Sequence, residues 1–121
     1  MKNQSEINSI NLGKYPRVIG EDFNSPLWND LVEYLNNPSK MNKAEYNLIC
    51  SKRDISLWTK IGMKPHRGWK VSDAKQYFEI KGSKENLLSD FMEVWNEYYD
   101  FKKELSEATK NGNDIELTYI K

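Results

Sequence analysis

Residues 83–109 read SKENLLSDFMEVWNEYYDFKKELSEAT, and their spacing decides the fold. Leu87, Phe91, Val94, Tyr98, Phe101, Leu105 and Ala108 follow one another at intervals of 4, 3, 4, 3, 4 and 3. That is the apolar seam of a helix held over three heptads. Leu88, Met92 and Trp95 widen the face. Ser83 stands where an N-cap belongs, and Glu85 in the first turn suits the positive end of the helix dipole. Asn111-Gly112 ends the pattern. Such a helix is roughly 40 Å long at about 1.5 Å per residue, which is long for a single small domain. Two readings stay open. The seam packs across earlier helices of the same chain, or its second half (Phe101, Leu105, Ala108) pairs with another copy or a partner protein. The protein is accordingly a monomer, or a homodimer through this helix. Glu93, Glu97, Asp100, Lys102, Lys103, Glu104 and Glu107 form a solvated face under either reading.

Upstream lies a short helix pattern, Val71, Ala74, Tyr77 and Phe78, broken by Lys81-Gly82. Gly82 is expected to take a backbone angle that other residues avoid. Before it comes a stiff basic loop, residues 63–70, MKPHRGWK. Further back, Ser25-Pro26 starts a helix carrying Leu27, Trp28, Leu31, Tyr34 and Leu35 on one face, and Asn37-Pro38 stops it. Asn42 and Glu45 resemble a capping box, followed by Ala44, Leu48 and Ile49 as a buried stripe. Ser51 with Asp54 is a weaker start signal ahead of Ile55, Leu57, Trp58 and Ile61. Residues 42–61 are therefore one helix or two, with Gly62 as the stop.

At the ends, Ile115, Leu117 and Tyr119 alternate with Glu116 and Thr118 as a short strand does. Its expected partner is an extended strap at residues 15–19, where Pro16 excludes a central strand. Residues 1–12 are polar and expected to fray. The fold expected is one mainly α domain over residues 1–121. It has about five helices, a long C-terminal helix and a small two-stranded β element near the termini.

The net charge is zero, yet the charge is segregated. Residues 1–37 carry −2, residues 38–84 carry +7 and residues 85–121 carry −5. A basic middle calls for an anionic partner or for pairing with the acidic ends. Lys64, Arg67 and Lys70 are placed to contact phosphates, with His66 or Trp69 on a base or sugar. The competing reading anchors Trp69 in the core and leaves the cations solvated or paired with the last helix.

Gly82, Lys84, Leu87, Leu88 and Phe91, preceded by Val71, Ala74, Lys75 and Phe78, carry a partial resemblance. Residues 71–91 resemble a shortened SAP-type DNA-binding helix–turn–helix module. The connection is about four residues shorter than that family's, and Glu79-Ile80 stands where the family has Gly-Leu. The resemblance implies a DNA-facing role for Lys75, Lys84 and the turn at Gly82. Residues 48–88 also look like small proteins of contractile-tailed phages, which implies the cytoplasm of a host cell and carries no function with it.

Catalysis finds little support. Cys50 and His66 are the only members of their types, so a nucleophile and its base would have to be those two. No disulfide can form within the chain, which fits a reducing compartment. A structural zinc site lacks ligands. Glu79-Ile80-Lys81, with Asp54 and Asp73 upstream, is similar to the metal-holding part of PD-(D/E)xK nucleases, except that it ends a helix where those enzymes have a strand. The N-terminus lacks the apolar core of a signal peptide, and no apolar run is long enough to cross a membrane. The expectation is a non-enzymatic accessory or regulatory protein without cofactor or metal. It binds nucleic acid, DNA first, through Lys64, His66, Arg67, Trp69, Lys70, Lys75 and Lys84. A protein-interaction module, a phage factor that meets a host protein through the acidic helix, is the alternative. A metal-dependent nuclease using Glu79 and Lys81 comes third.

Overall fold

The computed structural model describes residues 8–110 and 115–119. Within them run β1 (Asn8–Asn11), α1 (Pro16–Ile19), α2 (Pro26–Asn36), α3 (Lys43–Ile61), α4 (Val71–Phe78), α5 (Lys84–Lys110) and β2 (Ile115–Thr118). The mainly α architecture, the long last helix and the two-stranded element near the termini are as expected. The Asn111-Gly112 stop lies outside the described residues.

α5 is the axis of the core. Leu87, Phe91, Val94, Tyr98, Phe101 and Ala108 are buried along it, and Leu105 is half-buried. α3 packs along α5, and α2 lies against α3. Aromatic edges fix the register. Phe78 of α4 meets Phe91 at 5.1 Å between ring centroids, while Tyr15 and Trp28 meet Phe101 at 5.3 and 6.2 Å. Phe101, in the second half of the seam, is therefore covered by the chain's own N-terminal third, and Ala108 is buried. Leu105 is half-buried and lines a groove with Leu31 and Tyr34 of α2. Each such ring is worth about 1.5–3 kcal/mol of burial.

α3 is one helix of 19 residues. Ser51 and Asp54 do not restart it, because neither is preceded by a residue that stops a helix. Asn42 caps its start by accepting the Glu45 N–H at 3.1 Å, and Gly62 closes it in the left-handed conformation. Ala44, Leu48 and Ile55 point inward, whereas Ile49 and Ile61 are more than half exposed. The buried stripe is thus narrower than the apolar spacing suggests.

Two expectations at the N-terminus are corrected. Residues 15–19 are not an extended strap: Pro16 opens the one-turn helix α1, and the Gly20 N–H closes it on the Pro16 carbonyl at 3.0 Å. Proline suits a first helical turn because its missing N–H has no partner there anyway. Tyr15, Val18 and Ile19 are all buried, at a spacing of i, i+3, i+4 that is itself helical. Residues 8–12 do not fray. They form β1 and enter a 3-10 turn, with Ile10 and Leu12 buried. β2 pairs with β1 in parallel, Asn8 opposite Ile115 and Asn11 opposite Thr118. A parallel pair needs a long crossover, and here the whole helical body supplies it.

Candidate nucleic-acid interface

The basic loop is fixed at both ends. Behind it Gly62 ends α3, and ahead of it the Asp73 N–H bonds the Lys70 carbonyl at 3.1 Å to start α4. Between them the Trp69 N–H bonds the His66 carbonyl at 3.1 Å, closing a turn, and the His66 ring folds back over Gly68. Gly68 has no left-handed angle, so the turn does not depend on glycine's freedom there. Trp69 is half-buried with its ring 6.1 Å from that of Trp58. It anchors the loop and keeps one part exposed.

The cations do not pair with the last helix. Lys64, Arg67 and Lys70 are exposed, and none forms an ion pair with a described residue. Lys14, Arg17, Lys40, Arg53 and Lys102, in contrast, each lie within 3.4 Å of a carboxylate oxygen. The pairs made by α5 hold the N-terminal segment (Arg17 to Glu93, Lys14 to Glu104) and α3 (Lys102 to Glu45). The ion pairs of α5 thus go to the N-terminal segment and α3, and none goes to the loop cations.

Lys84 joins the loop. Its ammonium sits 5.0 Å from the centre of the Trp58 ring, beside Gly62. Lys75 does not. It projects on the other flank of α4, into a shallow hollow shared with Arg17, Glu79 and Lys81. Of the seven residues expected, six gather at the end of α3 and one stands apart.

Between α3, the loop and α4 lies a hollow of about 340 Å³. His66, Trp69 and Lys70 form its loop wall, and Asp54 and Tyr77 line it from α3 and α4. Asp54 is buried to 8% exposure, yet its only bonds to a described residue are the two that Arg53 makes to Oδ1, both 2.9 Å. Tyr77 donates to Asp30 at 2.6 Å, which ties α4 to α2, and burial followed by that bond raises its phenol far above the usual value. Asp54, part of this lining, was not among the expected site residues. A carboxylate at an inward α3 position, one turn before Trp58, was the available signal.

Two other possibilities can be placed. Cys50 and His66 line the same hollow. Glu79 and Lys81 line the other one, away from Asp54 and Asp73, and Glu79 accepts the Glu21 N–H at 3.2 Å. The nuclease-like set is therefore not assembled. No group of three His, Cys, Asp or Glu among the described residues is placed to hold a metal.

The segment resembling a SAP module is a short helix, a turn and the start of a long helix, with Leu87 and Phe91 in the core. No family model, no curated protein and no solved structure matches the chain. No helix among the described residues is long and apolar enough to cross a membrane.

Proposed function

We propose that the chain is a non-enzymatic accessory protein that binds nucleic acid, DNA in the first instance, through the loop at the end of α3. The observation that carries this reading is the loop's unpaired charge: Lys64, Arg67 and Lys70 are exposed without a carboxylate partner among the described residues. Lys84 adds a fourth cation beside them. Cations without an ion-pair partner on a fixed loop exchange bulk counterions for phosphate at little cost in ordering. The phage-like look of residues 48–88 fits such a role inside a host cell.

The test is fluorescence anisotropy with labelled oligonucleotides over a range of salt. Three to four phosphate contacts give a slope of log affinity on log salt of about −2.7 to −3.6 on a duplex and about −2.1 to −2.8 on a single strand. Replacing Lys64, Arg67 and Lys70 together by Ala should weaken binding to every oligonucleotide and flatten that slope. Absence of binding at low salt, or a triple variant that binds like wild type, rejects the reading.

A protein partner is the second reading, favoured by one observation. Tyr46, Ile49 and Ile61 are 55%, 54% and 62% exposed on the outer side of α3.

A further inference from the structure

If the loop binds phosphate as proposed, the hollow beneath it bears on which form of nucleic acid is bound. Lys70 and the His66 ring line it from the loop, and Asp54 and Asp73 line it from the helices. A phosphate seated deep in the hollow would meet Asp54 on its Oδ2 side, away from the Arg53 pair at Oδ1, an unfavourable contact of like charges that the pair only weakens. The edge of a base would not. A carboxylate accepts hydrogen bonds, and base edges offer N–H donors. Asp54 Oδ1 is taken by Arg53, and Oδ2 has no bond to a described residue.

Size and walls agree with this. At about 340 Å³ the hollow lies at the small end of ligand sites, which span about 300–1,000 Å³. It suits one planar ring system and not a base pair. Trp69 offers an indole along one wall, and base–aromatic stacking tolerates any base. A base reaches such a hollow only when it has left the stack.

We infer that the hollow takes one unstacked nucleobase, with Asp54 accepting from its edge and Trp69 alongside it, so that the preferred ligand is a single strand. The experiment compares three probes at one low salt concentration: a labelled single strand, the same strand with its bases removed, and the matching duplex. The base-carrying strand should bind at least tenfold more tightly than either of the others. Replacing its central base by 2-aminopurine should give fluorescence that is quenched on binding, and Trp69→Phe should reduce that quenching. Asp54→Leu should bring the base-carrying strand down towards the abasic one. If wild type binds the abasic and base-carrying strands equally, or the duplex best, the inference fails while phosphate binding stands. If no probe binds, the functional reading itself has failed.

Discussion

Gly20 adopts φ 77° and ψ −179°, a backbone state open essentially to glycine. A Cβ there would fall 2.4 Å from Ser25 Cβ and 2.9 Å from its backbone N. Ser25 cannot give way. It is wholly buried, donates to the Val18 carbonyl at 2.8 Å and accepts the Trp28 N–H at 2.9 Å as the cap of α2. Gly20→Ala should therefore cost about 3 kcal/mol in a denaturant titration. Gly82 is a different case. Its φ is not positive, contrary to the expectation for the α4–α5 turn, and the left-handed residue of that turn is Glu79 at φ 53°. What Gly82 provides is closeness: an added Cβ would meet the Asp90 carboxylate at 2.3 Å and the Asn86 backbone at 3.0 Å. The carboxylate can swing aside, so Gly82→Ala should cost about 1 kcal/mol. The order of the two variants is the check, and equal midpoints would refute it. The Gly82 turn was legible because a glycine between two apolar-periodic stretches marks a break. Gly20 was harder to read, since it follows only one helical turn.

At the scale of elements, α5 holds the others by charge as well as by its seam. The Arg17 N–H bonds Glu97 at 2.9 Å, and Lys14 and Tyr15 both bond Glu104. Glu45 of α3 accepts from Lys102 at 2.8 Å and from Tyr99 at 3.1 Å. Burial pushes the Glu45 and Glu104 carboxyls up, but their bonds (Lys102 and the tyrosines for Glu45, Tyr15 and Lys14 for Glu104) outweigh it and hold both below the usual carboxylate value. A lowered carboxyl adds stability above its unfolded value and loses it as pH falls through the folded one. Glu97 opposes them, because burial raises it. The tyrosines act at the other end: burial pushes Tyr99 up to about 12, and Tyr15, Tyr77 and Tyr98 higher still. Their contribution is complete below the ordinary phenol value near 10 and is lost above it. The melting temperature should thus fall on both sides, below about pH 4 and above about pH 10. Glu104→Gln should lower it at neutral pH and flatten the acid side, and an unchanged acid limb would show that Glu104 carries none of it. The seam was legible as a spacing, but the same spacing serves a partner inside or outside the chain. Only the covering of Phe101 by Tyr15 and Trp28 distinguishes them.

For the whole molecule, a seam covered from within predicts a monomer. Sedimentation at micromolar concentration should give one species near the chain mass of 14.3 kDa. Phe101→Glu should unfold the protein, since it would bury a carboxylate among aromatic rings. A wild-type dimer that the variant merely dissociates would refute both statements. The charge map is also a whole-molecule property. The composition shows that residues 38–84 carry the surplus, and the loop was legible as its densest part. Composition does not show which cations have partners, because Arg17 and Glu93, or Lys102 and Glu45, lie dozens of residues apart in the chain. The resemblance of residues 71–91 adds Lys75 to the loop cations, but the turn of α4 carries it to the other flank.

The pairing of β1 with β2 has a consequence for how the chain is made. Asn8 faces Ile115, so the first strand leaves the ribosome about a hundred residues before its neighbour exists. Domains generally take shape from the N-terminal side as they emerge, but this sheet cannot close until residues 115–118 have been made. Until α5 is present, Tyr15 and Trp28 also lack the Phe101 ring they pack against. A nascent chain stalled before α5 would expose that apolar surface, which makes it the stage at which a chaperone has most to hold.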